Sequence, residues 1–391
     1  MTAHRPTSVT ELAAIVAEAH ARQSPLAIAG SGTRAGLGRP VQAAASISTA
    51  GLTGITLYEP AELVIAARAG TPLREVTETL AARNQRLPFE PMDHRTLYGT
   101  TGEPTVGGIA AGNVSGPARI NLGAARDAMI GLKFVNGRGE DIKSGGRVMK
   151  NVTGLDLVKT LAGSHGTLGV FHEVCFKVLP RAEAEATLQL TGLGDGAAIE
   201  ALSTALGSPF EPTGAAHLPA RGTEPARTLI RIEGFAASIA YRAGALAKLL
   251  ARFGTLDRLG EQEAGALWQA IRDVGSLVGP EAMIWRISAP PSKAAALGER
   301  LKADGAELVY DWGGGLVSAA FALDATIASR IHALAKAAGG HATLLRASDE
   351  IRRTVDVFAP PAPALMAMQL KLKASLDPSG ILNPGRMYPG V

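Results

Sequence analysis

Residues 26–40, LAIAGSGTRAGLGRP, constrain the fold most strongly, because an apolar run is followed at once by four glycines. Residues 30–35 match the pattern G-x-G-x-x-G/A of dinucleotide-binding folds, in which a helix begins inside the motif and points its N-terminus at a pyrophosphate. Two more glycines and Pro40 follow closely and prevent the first turns of such a helix. We therefore expect a nest of backbone N–H groups around a phosphate, or a bare turn between strands if nothing else indicates a ligand.

Two other stretches of small residues do indicate a ligand. Residues 105–108, TVGG, and residues 166–169, GTLG, each form a small-residue loop next to a predicted strand. Small residues let the backbone approach phosphates and flat rings closely. Three such loops within the first 181 residues indicate one long ligand, a diphosphate flanked by two ring systems.

Composition excludes several classes of protein. The chain of 391 residues is 46% apolar and 19% charged with a net charge of +4, which is typical of a globular protein and mildly favours anionic ligands. No block of like charges indicates nucleic-acid binding. Cys175 is the single cysteine, so the chain can form neither an internal disulfide nor an iron–sulfur site. The sequence has no apolar run of membrane-spanning length and no signal peptide, and we expect a cytoplasmic protein.

Local signals predict an alternation of helices and strands. Ser8 and Glu11 have capping-box spacing and predict an N-terminal helix, and strands are expected over 55–60 and 62–70, followed by a helix from Thr71 to Ala81. Asn136-Gly137 predicts a tight hairpin turn, and residues 163–180 predict a glycine-rich turn that leads into a long strand. In the second half, strands are expected at ATLQL, TLIRIEGF, MIWRISAP, ELVYDW, LVSAAFAL and HATLLRA, with helices near 197–206, near 236–253 and around Trp268.

These motifs resemble the FAD-binding domain of the vanillyl-alcohol oxidase and para-cresol methylhydroxylase (PCMH) superfamily, and within it the FAD-binding E subunits of bacterial glycolate oxidase (glycolate dehydrogenase). The resemblance is carried by AGSGTRAGLGRP, YEPAELVIAARAGTPL, LPFEP, TVGGIAAGNVSGP, RDAMIGLKFVNGRGE, GGRVMKNVTGLDL, GSHGTLGVFHEVCFKVLP and DPSGILNPGRMY. It implies an α+β fold with a PCMH-type FAD-binding domain of two α/β subdomains over 1–181. An α+β cap domain over 182–370 and a C-terminal tail over 371–391 that packs on the FAD domain would complete the chain.

The resemblance also implies which residues lie at the cofactor. The pyrophosphate would be bound by Gly30, Ser31, Gly32, Thr33 and Arg34. The ribityl and flavin side would be lined by Thr105, Val106, Gly107, Gly108, Gly112, Asn113 and Ser115. The adenosine half would lie near Gly163, Gly166, Thr167, Gly169 and Val170, and Arg126 and Asp127 would lie close to the cofactor. Relatives more often have lysine at the position of Arg34. The loop lacks the histidine of covalently flavinylated relatives, so FAD is expected to be non-covalent.

Oxidation of a 2-hydroxy acid on a flavin needs a base for the hydroxyl proton and a cation for the carboxylate. His94 and His341 are candidate bases, and Arg286 and Arg346 are candidate carboxylate anchors. A structural role is the simpler interpretation of each histidine. The resemblance implies that the catalytic D subunit of such complexes carries a histidine-rich metal and substrate cluster. This sequence has no such cluster, and no metal is expected.

The sequence therefore predicts an FAD-binding subunit that supports oxidation of glycolate to glyoxylate and passes electrons to another chain. The resemblance implies a catalytic flavoprotein D subunit and an iron–sulfur F subunit as partners, a small 2-hydroxy acid as the substrate of the complex, and membrane association only through partners. Two alternatives remain open. In the first alternative, the chain is a self-sufficient FAD-dependent 2-hydroxy-acid dehydrogenase. In the second, it is a cofactor-free scaffold of the same complex.

Overall fold

The computed structural model describes residues 2–146 and 155–391 of the chain. The motif GGRVMKNVTGLDL lies largely outside the described residues, because its positions 147–154 are not among them.

The described residues form strands and helices in alternation along the chain. The strands are β1 (Thr2–His4), β2 (Leu26–Ala29), β3 (Ala45–Ser48), β4 (Ile55–Glu59), β5 (Val64–Arg68), β6 (Gln85–Arg86), β7 (Met129–Val135), β8 (Asp141–Gly145), β9 (Val170–Lys177), β10 (Leu179–Pro180), β11 (Ala184–Thr191), β12 (Gly214–Leu218), β13 (Arg227–Gly234), β14 (Asp257–Arg258), β15 (Ala282–Ser288), β16 (Glu307–Asp311), β17 (Leu316–Ala322) and β18 (His341–Arg346). The helices are α1 (Val9–Ala21), α2 (Leu73–Ala81), α3 (Arg95–Tyr98), α4 (Val106–Gly112), α5 (Arg119–Leu122), α6 (Ala125–Ala128), α7 (Leu157–Leu161), α8 (Asp195–Leu206), α9 (Ala236–Leu249), α10 (Glu261–Arg272), α11 (Pro291–Ala303), α12 (Ile327–Ala337), α13 (Asp349–Thr354) and α14 (Pro363–Leu376).

The first of two compact units comprises Met1–Ser115, Gly123–Arg181 and Pro360–Val391. Its larger sheet has five antiparallel strands in the order β4-β5-β9-β7-β8. A smaller sheet has three parallel strands in the order β1-β3-β2, and β6 pairs with β10. The strands and helices predicted in this unit are present, and the small parallel sheet delivers the glycine-rich loop at the end of β2.

Helix α1 shows how the sequence fixes the start of the unit. The Ser8 hydroxyl caps the helix by accepting from the Glu11 N–H at 3.1 Å, as the spacing predicts. Leu12 and Val16 are fully buried, one helical turn apart. They pack with Leu26 of β2 and Ile47 of β3 in one core cluster, so the helix supports the sheet from which the glycine-rich loop emerges.

Two expectations at glycine-rich stretches are wrong. Residues 105–108 are not a loop, because Thr105 accepts from the Gly108 N–H at 3.4 Å and caps α4. Between β7 and β8 the chain makes a wider turn over 136–140, in which the Asn136 N–H donates to the Glu140 carbonyl at 3.0 Å. Gly139 has the positive φ of 83° there, so the two-residue Asn-Gly turn is replaced by a longer one.

The second unit comprises Gly116–Leu122 and Ala182–Ala359. It is built on one eight-stranded antiparallel sheet in the order β14-β11-β13-β12-β16-β17-β15-β18. Helices α8, α9, α11 and α12 contribute to one core around the fully buried Trp285 and Tyr310. Helix α10 is held to the sheet by the Trp268 indole N–H, which donates to the Thr187 hydroxyl at 2.9 Å. All strands and helices predicted for this half are present.

Two segments lie in a different unit from the one that the sequence predicts. Residues 116–122 belong to the second unit, and the whole of Pro360–Val391, including α14, belongs to the first. The boundaries of the functional domains stay predictions. Among residues 2–146 and 155–391, no helix combines the length and the apolar character needed to cross a bilayer.

Candidate cofactor site

A cleft of about 290 Å³ opens in the first unit beyond the end of β2. Three segments form most of its wall: the loop of residues 30–34, the helix α4 with its cap, and the loop of residues 165–169. Their lining residues are Gly30, Ser31, Gly32, Thr33, Arg34, Thr105, Gly107, Gly108, Ala111, Gly112, His165, Gly166 and Gly169. The three small-residue stretches seen in the sequence therefore meet around one space.

Two glycines are required by close packing at this wall. A Cβ on Gly30 would overlap the Thr105 hydroxyl, and a Cβ on Gly108 would lie 2.9 Å from Arg34 Nη1. The loop and the start of α4 are thus in direct contact, and any larger side chain would separate them or project into the cleft.

The loop of residues 30–34 presents free backbone donors. Within the described residues, the N–H groups of positions 31 to 34 donate to no hydrogen-bond partner. Gly32 has a φ of 84°, which turns the chain in the left-handed sense required for a nest. The Ser31 hydroxyl is not free, because it donates to the Glu103 carbonyl and holds the loop in place. Consecutive N–H groups without partners next to a cleft are typical of an anion site.

Arg34 adds a cation to these donors. Its Nε donates to His94 Nδ1 at 3.2 Å, while its buried Nη2 has no hydrogen-bond partner among the described residues. Burial lowers the pKa of Arg34 to about 10, partly offset by Tyr98 and Asp93. The side chain is therefore still charged at neutral pH. A buried charge with an unused donor is costly unless a further acceptor binds there.

Three more basic groups line the cleft: Arg39, His165 and Arg386. Arg386 donates from Nη2 to the Arg34 carbonyl at 3.2 Å. His165 has a positive φ of 53°, and burial, together with the charges of Arg386 and Arg34, lowers the pKa of its ring to about 3. His165 is therefore neutral at pH 7, and the cations that line the cleft are Arg34, Arg39 and Arg386. Guanidinium groups and a row of free N–H groups suit a diphosphate.

The C-terminal segment completes this wall from far along the chain. The Ile28 N–H donates to the Asn383 side-chain carbonyl at 2.7 Å, and Asn383 Nδ2 donates to the His165 carbonyl at 2.9 Å. One asparagine thereby ties β2 to the loop of residues 165–169. It also brings Arg386 to the cleft.

Several predicted cofactor residues lie outside the cleft lining. Val106 and Val170 are core side chains, and Gly163 donates to the Ala110 carbonyl at 3.4 Å. The Thr167 hydroxyl donates to the Ser164 carbonyl at 2.8 Å. A role of these residues at the cofactor stays a prediction.

The remaining predicted residues organise helix α6. Asn113 Oδ1 accepts from the Arg126 N–H at 2.9 Å, and Ser115 Oγ accepts from the Ala125 N–H at 3.0 Å. The Asp127 carboxylate accepts from the Ala124 N–H at 2.8 Å and caps the same helix. In this structure these side chains position backbone, and their part in cofactor binding also stays a prediction.

The candidate catalytic residues fall in both units. In the first unit, the buried His94 contacts Arg34 behind the cleft wall. In the second unit, Arg346 donates to the carbonyls of Gly279 and Pro280 at 2.7 and 3.2 Å, which fixes a turn. Arg286 and His341 lie on neighbouring strands of the same sheet. No group of three or more metal-ligating side chains occurs within residues 2–146 and 155–391.

Some residues of interest had no usable sequence signal. No sequence pattern distinguishes His165 from the other histidines, and Arg386 lies only within the tail motif DPSGILNPGRMY. Arg119 and Trp312, which contact each other in the second unit, were missed entirely. A lone arginine and a lone tryptophan 193 positions apart in the sequence carry no recognisable spacing.

Family comparisons agree with this cleft. Residues 3–145 match the model of an FAD binding domain, and residues 361–387 match the C-terminal domain of FAD linked oxidases. The second match falls within the segment that the structure places in the first unit. The fold and the site together define an FAD-linked oxidoreductase.

Individual relatives identify a family within the FAD-linked oxidoreductases. The glycolate oxidase subunit GlcE of Escherichia coli (strain K12) is 36% identical over 379 residues, which cover 95% of each chain. The chain belongs to the GlcE family of glycolate oxidase subunits. The glycolate oxidase subunit GlcD of Bacillus subtilis (strain 168) is 39% identical over 84 residues, which cover 22% of this chain and 18% of GlcD.

Among solved structures, 4-ethylphenol oxidase from Gulosibacter chungangensis, in complex with isoeugenol, has a TM-score of 0.72 at 14% identity. The match covers 99% of this chain and 89% of the oxidase, and at this identity it shows a shared fold. The predicted family, the PCMH-type fold and the FAD cofactor are confirmed. Non-covalent attachment stays a prediction.

Proposed function

We propose that this chain is the FAD-binding subunit of a complex that oxidises glycolate to glyoxylate and delivers the electrons to a partner iron–sulfur subunit. The observation that carries the proposal is the cleft, in which free N–H groups, Arg34 and Arg386 provide a cradle for a diphosphate. Similarity to GlcE over nearly the whole chain supports glycolate as the substrate of the complex.

Each part of the cleft has a proposed task. The N–H groups of residues 31–34 and the two arginines would hold the diphosphate. Gly107, Gly108 and Gly112 line the wall on the α4 side, where the lack of side chains leaves room for a flat ring. When bound, FAD supplies a site that accepts two electrons together and releases them singly. The protein's own contribution is to orient the cofactor and neutralise its phosphates.

The electrons need an exit that this sequence does not contain. An iron–sulfur cluster needs several thiolate ligands, and the 391 residues include only Cys175, which is buried. We therefore assign the cluster to a partner F subunit, and the catalytic metal and substrate cluster to a partner D subunit. The local similarity to GlcD supports a related flavoprotein as one partner. The cytoplasmic location stays a prediction.

The first test is the visible absorbance spectrum of the purified chain, followed by chromatography of the nucleotide released on denaturation. We expect one FAD per chain. A chain that is folded by circular dichroism but contains no FAD, and takes up none on addition, would overturn the proposal and favour a cofactor-free scaffold.

The second test separates a subunit from a self-sufficient dehydrogenase. The flavin-containing chain is mixed anaerobically with glycolate, first alone and then with the co-purified partner proteins. Bleaching only in the presence of the partners supports the subunit. Rapid bleaching of the isolated chain would instead favour the self-sufficient enzyme, and iron analysis of the co-purified proteins tests the assignment of the cluster.

A further inference from the structure

His94 lies at the start of the short helix α3, and its ring is enclosed by the first unit. Only 4% of the residue is exposed. The Tyr98 ring stacks on the imidazole, with ring centres 5.8 Å apart and planes within 10° of parallel. A Cβ on Gly36 would lie 2.4 Å from the Tyr98 ring, so the chain just beyond residues 30–34 packs directly on this stack. Packing therefore fixes the imidazole close to the cofactor loop.

The backbone that carries His94 is also fixed. The Asp93 carboxylate accepts from the Arg95 N–H at 3.0 Å, and it pairs with the Arg95 guanidinium at 2.7 Å. The Tyr98 N–H donates to the His94 carbonyl at 3.0 Å and closes the turn of α3. The position of the histidine is thus determined by its own segment before any ligand binds.

Nδ1 of His94 has two polar neighbours with opposite requirements. Arg34 Nε lies 3.2 Å away and can only donate, whereas the Met92 carbonyl oxygen lies 3.1 Å away and can only accept. A proton on Nδ1 would face the Nε–H of Arg34, so two donors would point at each other. A hydrogen bond from a charged donor is about twice as strong as a neutral one, and Arg34 is a buried cation. The contact with Arg34 therefore favours an unprotonated Nδ1.

This contact determines where the rest of the Arg34 guanidinium points. Its nitrogens lie in one rigid plane, so an acceptor at Nε fixes the direction of Nη2. Nη2 is the buried nitrogen that has no hydrogen-bond partner among the described residues, and Arg34 lines the cleft. Without His94 the side chain would lose its anchor, and ligand binding would have to overcome the conformational entropy of ordering it.

We propose that His94 is a positioning residue for the cofactor: its neutral ring, with the proton on Nε2, holds Arg34 in the orientation that binds the diphosphate of FAD. In this role the histidine keeps its protonation state and takes no proton from a substrate. The inference rests on the proposed contact between Arg34 and the diphosphate.

The test is a double-mutant cycle, in which fluorescence titration measures the affinity of the flavin-free chain for FAD. We expect His94→Leu to weaken FAD binding about tenfold in the parent chain, because Arg34 loses its acceptor. In the Arg34→Met background the same substitution should change the affinity by less than about twofold, because it leaves nothing to position. No effect in the parent chain, or an equal effect in both backgrounds, would overturn the proposal.

A conservative variant and a control separate positioning from loss of structure. His94→Asn places a side-chain oxygen near the position of Nδ1, so it can still accept from Arg34 and should bind FAD within about threefold of the parent chain. His172→Leu is the control, since His172 is 5% exposed and points away from the side of β9 on which Phe171 lines the cleft. It should leave FAD affinity unchanged. Binding by His94→Asn as weak as that of His94→Leu would overturn the proposal.

A measurement on the parent chain needs no substitution in the protein tested. Nitrogen NMR of the chain labelled at histidine distinguishes protonated from unprotonated ring nitrogens, and the signal missing in His94→Asn identifies His94. We expect a bare Nδ1 and a protonated Nε2 at pH 7, and a proton on Nδ1 would overturn the proposal. A parent chain that binds no FAD would overturn the proposed function and this inference with it, whereas FAD binding unaffected by His94→Leu would overturn only this inference.

Discussion

Arg34, at the cofactor cleft, combines a buried charge with a hydrogen-bond donor that no described residue uses. The sequence identified this arginine as the edge of a diphosphate nest, and the structure shows a further contact, to His94. That contact explains how the side chain stays oriented. A lysine at position 34 would keep the charge but could not both bind His94 and present a second nitrogen to a phosphate.

Arg34→Met is predicted to weaken FAD binding by roughly ten- to a hundredfold, because a hydrogen bond to a charged group contributes about 1.5–3 kcal/mol. Arg34→Lys should weaken FAD binding less than Arg34→Met, because the lysine keeps the charge near the diphosphate although it cannot also hold His94. Fluorescence titration of the flavin-free chain with FAD measures both. Equal affinities of the methionine variant and the parent would show that Arg34 does not contact the diphosphate.

His165 predicts a pH dependence of stability in the flavin-free chain. In the unfolded chain the ring binds a proton below pH 6.5, whereas in the folded chain it stays neutral down to a pKa of about 3. Between these values the unfolded state binds more protons, so the free energy of unfolding falls as the pH falls, by up to about 1.4 kcal/mol per pH unit.

The control for this prediction is His165→Asn, since asparagine tolerates the left-handed backbone of this position. Urea unfolding of both proteins between pH 7 and pH 4 should show a smaller loss of stability in the variant. Parallel curves would show that His165 titrates normally in the folded protein.

The site residues that could not be predicted from the sequence have one feature in common: their neighbours are distant in the chain. Residues 30–34 were recognisable because a nest is made by consecutive residues, so its pattern is local. Arg119 and Trp312 come together only through the fold of the second unit, and no periodicity joins them. The sequence singled out Arg286 as an arginine suited to a carboxylate, but its contact with the Trp312 ring, 4.9 Å from the guanidinium carbon to the ring centre, could not be predicted.

At the level of elements, the loop predicted at the residues of α4 is wrong. Its sequence VGGIAAG contains three glycines, which disfavour helices intrinsically, and a loop was expected. The helix forms because Thr105 caps it and because Ile109 and Ala110 are buried. Tertiary contacts therefore override the propensity. The alternating strands and amphipathic helices of the second unit were predictable, since their patterns persist over five residues or more.

Gly107→Ala is predicted to destabilise the first unit by about 1–3 kcal/mol, although alanine is the better helix former. The added Cβ would lie 2.6 Å from the Cβ of Ala69 and 2.9 Å from its carbonyl oxygen. Helix α4 would have to move away from the chain beyond β5. FAD affinity should fall with stability, because the same helix lines the cleft.

The matched control is Gly265→Ala in α10, where a Cβ meets no atom within 4 Å. This substitution should stabilise the chain by about 0.5–1 kcal/mol through helix propensity alone. Urea denaturation followed by circular dichroism compares the two. A stabilising effect at both positions would show that α4 does not pack tightly against Ala69.

At the scale of the molecule, the first unit is closed by residues that are remote in sequence. Asn383 and Ile28 are 355 positions apart, yet they pair directly. The resemblance to known flavoproteins predicted that the tail returns to this domain, whereas composition and periodicity alone could not. The structure adds that α14 belongs to the same unit, and that its last turn carries the residue that fixes the tail.

That residue is Lys373. It is buried, and its Nζ donates to Asp377 at 2.8 Å, to the Thr167 carbonyl at 2.7 Å and to the Leu382 carbonyl at 2.9 Å. One ammonium group thus joins α14, the loop of residues 165–169 and the tail. Burial lowers the pKa of Lys373, and the Asp377 carboxylate partly offsets this effect.

Lys373→Met is predicted to destabilise the protein by about 3–5 kcal/mol, because the Asp377 carboxylate would remain buried without its counter-ion. The control Lys371→Met removes an exposed lysine from the same helix and should change stability by no more than about 0.5 kcal/mol. Urea unfolding measures both, and amide exchange at Ile28 and Asn383 reports whether the tail is released. FAD affinity should fall in Lys373→Met alone, since the tail brings Arg386 to the cleft. If the two variants unfold alike, the tail is held by the backbone pairing of Leu26 in β2 with Leu382 and not by this ion pair.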